Sequence, residues 1–164
     1  MAEIARLHPA EDKSFRVAPH NVDVEQALLG AILINNDAFY RVADFLQPEH
    51  FYEPIHREIY ELAGKIIRAG KAAEPATLKT HLPDQLLPDV TMMQYLSRLA
   101  AEATTGLNAA DYGQAIYDLA IRRNLIQVGE EMVGVAYDAD VEMTPARQIE
   151  KVEGELFQLA EKGR

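Results

Sequence analysis

Five histidines, His8, His20, His50, His56 and His81, are the side chains best suited to metal ligation or proton transfer in this chain. Their spacing assembles no site. There is no H-E-x-x-H run, and no two histidines fall at i and i+4, where one helical face would aim both at a zinc ion. His50, Glu53 and His56 are near one another, but Pro54 breaks any shared helical face. Capping or aromatic packing beneath a loop is the expected role. A phosphate-binding loop needs G-x-x-x-x-G-K-[ST], so that loop amides and the lysine hold phosphate oxygens. Gly64-Lys65-Ile66 and Gly70-Lys71-Ala72 lack both the hydroxyl residue and the preceding glycine, which leaves ordinary helix and cap roles. The carboxylates read as solvated helix faces with no acid/base pair, and Ser14 and Ser97 have no nucleophile context. Arg122-Arg123-Asn124, flanked by apolar residues, reads as a charged strip between two buried stripes rather than a DNA-reading helix.

With no chemistry in evidence, the elements themselves become informative. The 164 residues suit one domain, or one domain with an appendage, and 48% apolar content is ample for a core. Aromatic residues are only 7% and Trp is absent, so aliphatic side chains must fill that core. There is no cysteine, which excludes disulfides and thiolate zinc sites and suits a reducing compartment. No apolar run reaches the ~20 residues needed to span a bilayer. Residues 1–17 lack the apolar centre of a signal peptide, so a cytoplasmic chain without membrane contact is expected. The net charge of −10 argues against strong direct DNA binding, which depends on clustered Lys and Arg.

The hydrophobic pattern predicts an all-α fold: a compact multi-helix bundle followed by a long helical hairpin. Residues 1–18 form an arm, 19–105 a globular helical subdomain and 106–164 the hairpin. The first helix, from about Val22 to Ile34, is announced by Pro19 and by Asn21 or Asp23 as cap. A second is expected over Asp37–Leu46. A third opens at Glu53-Pro54, with an apolar stripe of Ile55, Ile59, Leu62 and Ile66 and with Gly70 as its C-cap. A short helix follows over Ala76–His81, then a loop over Leu82–Val90. Thr91 caps a helix to about Ala103 that buries Met92 or Met93, Tyr95, Leu96 and Leu99. After a break at 104–108, one helix runs from Ala109 to Tyr137, and another starts at Thr144-Pro145 with Ile149, Val152, Leu156 and Leu159 on one face. A two-helix hairpin buries little, so its apolar surface needs the globular part or, preferably, a second copy.

The residues also carry a resemblance. Pro19-His20-Asn21 followed by Glu25-Gln26-Ala27-Leu28-Leu29-Gly30-Ala31-Ile32-Leu33 resembles the opening of the bacterial replicative DNA helicase (DnaB) family, with Val24 where that family typically has Ala. Asp44-Phe45-Leu46, Phe51-Tyr52 with His56-Arg57-Glu58-Ile59-Tyr60, Thr77-Leu78 and Tyr95-Leu96-Ser97-Arg98-Leu99 continue it in order. So do Asn108-Ala109-Ala110-Asp111-Tyr112, Ile121-Arg122-Arg123-Asn124-Leu125-Ile126 and Glu155-Leu156-Phe157-Gln158-Leu159-Ala160-Glu161-Lys162. Two stretches depart from it: Lys71-Ala72-Ala73-Glu74-Pro75-Ala76, and Met92-Met93 where the family has a glycine pair.

The resemblance implies the N-terminal domain of such a helicase, without the linker and motor domain that use ATP and Mg. No cofactor is then expected in this fragment, and no ATPase or unwinding activity. In the family, hairpins pair into dimers, three dimers build a collar above the motor ring, and the collar receives the C-terminal helical domain of primase. A helicase loader or initiator is a further partner. For self-association this points to Ile116, Leu119, Leu125, Ile126, Met132, Ile149, Val152 and Leu156, and for primase to Tyr95, Ile126, Met132 and Ile149, with intramolecular core as the alternative fate of each. A free-standing helical adaptor sharing the fold is the rival reading.

Overall fold

The computed structural model describes residues 16–103 and 108–163. Most of the expected arm and most of the expected break at 104–108 lie outside the described residues. The elements are α1 (Val22–Ile34), α2 (Asp37–Tyr40), a 3-10 turn (Pro48–His50), α3 (Pro54–Arg68), α4 (Pro75–Lys79), β1 (Gln85–Leu87), β2 (Val90–Thr91), α5 (Met92–Glu102), α6 (Ala109–Tyr137) and α7 (Pro145–Lys162). The fold is all-α, with a two-stranded turn of chain as its only sheet among the described residues.

Helix α1 is the axis of the body. Asn21 is its cap, with the side chain accepting the Val24 N–H at 3.1 Å. The six residues from Leu28 to Leu33 are all buried, so no solvated face interrupts them. Helices α3, α5 and the start of α6 surround α1. Gly30 makes this possible: a side chain there would strike the backbone carbonyl of Leu99 on α5.

Three readings of the pattern are corrected. The helix expected over Asp37–Leu46 is one α-helical turn, Asp37–Tyr40, followed by tighter turns in which Val42 and Phe45 come down on Gly113 of α6. The loop expected over Leu82–Val90 contains β1, paired antiparallel with β2 through Gln85 with Thr91 and Leu87 with Val90. These strands are too short to leave a legible alternation. In α3 the buried stripe is His56, Ile59, Tyr60, Ala63, Gly64 and Ile67, whereas Ile55, Leu62 and Ile66 are only half-buried. The face is rotated by about one residue, because a histidine occupies a core position that an apolar count assigns to Ile55.

Aromatic residues close the bottom of the core. Phe39, Phe51 and Tyr60 form a cluster with Tyr60 at 5.5 Å from Phe39 and 4.9 Å from Phe51. The Tyr60 hydroxyl donates to the Leu46 carbonyl at 2.9 Å. Asn36 ties the turn after α1 to the segment before α4: its amide donates to the carbonyls of Ile32 and Ala73, each at 2.8 Å, and accepts the Ala73 N–H at 2.9 Å. Gly70 ends α3 at φ 77°, the left-handed conformation that glycine adopts at least cost.

Candidate docking surface

Helix α6 has two environments along its 29 residues. Its first three turns belong to the body: Ala109, Gly113, Ile116, Tyr117 and Ala120 are buried. A change of packing therefore falls within α6 near residue 120. Ile121 and Arg123 still reach the body, the latter by hydrogen bonds, and beyond them α6 runs alongside α7, no residue of which is buried. Val128, Val135, Val152 and Leu159 are half-buried along this seam. The Gln148 side-chain amide crosses it to the Met132 carbonyl at 2.7 Å.

Arg123 locks the crossover. Its guanidinium donates to the Pro19 carbonyl at 2.8 Å and to the His50 carbonyl at 2.7 Å. It also lies 5.5 Å above the Tyr52 ring, which stacks on His20 at 3.9 Å. Burial draws its pKa down from the ordinary value, with the Arg57 charge adding to the effect. The expected solvated strip is thus half right: Arg122 is exposed, while Arg123 is a half-buried latch. Sequence offers no way to separate two adjacent arginines whose helical angles differ by one step. His50 takes the expected capping and packing roles, with Nδ1 accepting the Gln47 N–H at 2.9 Å and the ring edge-on to Tyr117 at 5.0 Å.

A buried polar network is present that the pattern did not reveal. Glu25 is 2% exposed and His56 1%, which corrects the placing of every carboxylate on a solvated face. Glu25 accepts the backbone N–H groups of Tyr52 at 2.7 Å and Glu53 at 3.3 Å, and contacts His56 Nδ1 at 2.7 Å. His56 Nε2 lies 2.6 Å from the Tyr95 hydroxyl, which also accepts from Gln26 at 3.1 Å. With the proton on Nδ1, His56 donates to Glu25 and accepts from Tyr95. Burial raises the Glu25 pKa, but the hydrogen bonds from His56, Tyr52 and Glu53 outweigh it and leave the carboxyl below its ordinary value. Burial raises that of Tyr95. The order carboxylate, imidazole, hydroxyl resembles a proton relay, yet the hydroxyl sits in the core. The cleft of about 500 Å³ between the body and α6, lined by Asp44, His50, Tyr117, Arg123 and Lys162 among others, does not reach it. The network joins α1, α3 and α5. Glu25 could have been noticed in sequence as a charge three residues before Leu28 on an otherwise buried helix.

The two Gly-Lys pairs of the chain have structural roles. Gly64 lies inside α3 with the Phe39 ring against it, and Gly70 is a helix cap, so neither forms a phosphate loop. Among the described residues, no three His, Asp or Glu side chains converge on a common point, and no helix is long and apolar enough to cross a membrane.

The residues expected to meet partners divide sharply. Leu125, Ile126, Met132, Ile149 and Leu156 are between 42 and 59% exposed. Leu119 and Val152 are half-buried. Ile116 is a core residue at 1%, and Tyr95 is held in the core by its hydroxyl bonds. Neither is available to a partner, which corrects both assignments. Val133, Tyr137 and Phe157 are also exposed and extend the apolar surface. The described hairpin thus carries apolar side chains in water along both helices, a surface suited to packing against another protein.

Residues 17–118 match the family model described as the DnaB-like helicase N-terminal domain. The chain is 47% identical over 149 residues to the replicative DNA helicase DnaB of Rickettsia conorii, covering 90% of this chain and 30% of that protein. It is 29% identical to the DnaB of Rhodothermus marinus, over 96% of this chain and 16% of the relative. It therefore spans about 30% of the length of its Rickettsia relative. Among solved structures, the N-terminal domain of DnaB helicase from Mycobacterium tuberculosis superposes with a TM-score of 0.76 at 26% identity, over 87% of this chain and 99% of that one. A DnaB-like replicative helicase whose structure was solved to show its interactions with primase shares the fold, with a TM-score of 0.65 at 23% identity over 85% of this chain and 31% of that one. This chain belongs to the DnaB-like helicase N-terminal domain family.

Proposed function

We propose that this chain serves as the collar of a hexameric replicative DNA helicase. It associates with copies of itself through the hairpin, as dimers and then as three dimers, and offers a docking face to the C-terminal helical domain of primase. One observation carries this reading: large apolar side chains stand in water along α6 and α7, in a hairpin whose second helix has no buried residue. Ile126, Met132 and Ile149 are the residues proposed for primase, and Leu125 and Leu156 join them for self-association. The relatives' names and the primase interactions of one structural neighbour support the same assignment. ATP hydrolysis and unwinding, with the magnesium they need, are assigned to the part of the longer relatives outside the matched segment. A helicase loader is a further partner in this reading.

The test is absolute mass by light scattering on size-exclusion chromatography, over a range of concentrations, with and without the primase C-terminal domain. A dimer or larger species that gains mass on adding primase is the expected result. A monomer at every concentration, unchanged by primase, overturns the proposal.

A further inference from the structure

The cleft of about 500 Å³ lies where the hairpin leaves the body, and its size is in the range of small-molecule sites. Its charges sort by side. Arg123 and Lys162 come from the hairpin, whereas Asp44 and Glu49 stand exposed on the body. Arg123 is the unusual member. It is half-buried, yet it pairs with no carboxylate among the described residues, and both of its terminal nitrogens are spent on the Pro19 and His50 carbonyls. A charge drawn out of water is ordinarily paired. Open donors stand near it. His50 Nδ1 accepts the Gln47 N–H, which leaves the proton of the neutral ring on Nε2. Burial, joined by the charges of Lys162 and Arg123 against the opposing pull of Glu49, holds the His50 pKa below its ordinary value, so the ring is uncharged near neutrality. The Asn124 side-chain amide and the Lys162 ammonium make no hydrogen bond among the described residues, and the Tyr117 hydroxyl in the wall is buried without a partner.

We propose that this cleft binds a small phosphate monoester carrying an apolar or aromatic group. The donors set the head group. With the Arg123 fork occupied, the site offers no bidentate match to a carboxylate. It offers instead single donors from three elements: His50 Nε2–H from the 3-10 turn, the Asn124 amide from α6 and the Lys162 ammonium from α7. Donors that arrive separately suit the diverging oxygens of a tetrahedral anion, and Arg123 adds its charge without a free fork. Half-buried Phe45 and Ile121, with buried Ala120, supply an apolar wall for the rest of the molecule. Asp44 and Glu49 repel an anion on the body side and so favour a ligand whose charge lies toward the hairpin. Because its contacts come from the 3-10 turn and from both hairpin helices, the bound ligand ties α6 and α7 to the body. The proposal stands apart from the self-association reading.

The test is NMR titration of the His50 ring in the whole chain with phenyl phosphate, inorganic phosphate and benzoate. Phenyl phosphate is expected to give a saturable shift, with an affinity roughly fivefold or more above the other two. Inorganic phosphate lacks the ring, and benzoate lacks the tetrahedral head group. Two substitutions at exposed positions, where the fold does not depend on the side chain, read the charges. Lys162→Gln weakens phenyl phosphate roughly fivefold, and Asp44→Asn tightens it about twofold. A cleft that is only a packing gap responds to neither. The proposal is overturned by the absence of a saturable shift up to about 10 mM phenyl phosphate, by equal affinity for benzoate or inorganic phosphate, or by an affinity untouched by Lys162→Gln. Each of these outcomes is independent of the oligomeric state.

Discussion

The body and the hairpin are built from the same kinds of residue, yet they differ in whether the protomer accounts for them. In the body, six successive residues of α1 are buried. Its buried carboxylate has three hydrogen-bonding partners, and its helical glycines each face a neighbour. In the hairpin beyond residue 120, no residue of α7 is buried, Gly129, Gly134 and Gly154 face open space, and isoleucine, methionine and phenylalanine side chains stand in water. The buried Tyr117 hydroxyl, which has no hydrogen-bond partner among the described residues, is an exception in the body, whereas in the hairpin unpartnered apolar surface is the rule.

The strongest way to break this comparison is to truncate one large apolar side chain in each region. Phe39→Ala, at a residue 1% exposed, removes a ring from the core and is expected to lower unfolding free energy by about 3–5 kcal/mol in urea titration. Ile149→Ala, at a residue 59% exposed, is expected to stay within about 0.5 kcal/mol when measured on dilute protomer. An equal loss at both positions would show that the hairpin is as much a part of the protomer core as Phe39.

The buried network is the next largest effect. His56→Ala leaves Glu25 in the core without its imidazole partner, and is expected to cost about 3–5 kcal/mol. The pH dependence follows from the lowered pKa of Glu25. Its folded value lies below the ordinary 4.5, so its contribution is complete above that pH and is lost as pH falls through the folded value. The stability gap between the native chain and Glu25→Gln should therefore be constant near neutrality and shrink below pH 4.5. A gap that grows on acidification would mean that Glu25 is not held as the carboxylate.

How much of this was legible in the sequence follows the same division. Helix α6 was read at its observed ends, because nearly thirty residues of unbroken helical pattern lie between Asn108 and Asp138. The caps Asn21, Thr91 and Thr144 were visible because capping is local chemistry. The network was not, since Glu25, His56 and Tyr95 meet only through long-range packing, and glutamate is a type almost never fully buried unless paired. Tyr95 was read both as buried in its helix and as a partner contact, and the burial holds: its hydroxyl finds His56 across the core. Ile116 and Ile126 share one residue type and one helix, and α6 leaves the body between them. Their opposite fates depend on where that happens, which periodicity cannot state.

The glycines allow the finest version of the comparison. Gly113→Ala would press a methyl group onto Val42 and Phe45, and is expected to destabilise by about 1–3 kcal/mol, the usual cost of overpacking. Gly134→Ala adds the same methyl where nothing lies within 4 Å and should stabilise α6 by about 0.5–1 kcal/mol through helix propensity alone. The two substitutions are chemically identical and lie on one helix, 21 residues apart, so intrinsic propensity cancels between them and the difference in sign reports packing. Each is measured as the shift in urea midpoint at unchanged m-value, on protomer dilute enough to exclude association. If Gly134→Ala instead destabilises the dilute protomer, something within the chain already occupies the space beside the second half of α6, and the hairpin face is less open than its exposed side chains indicate.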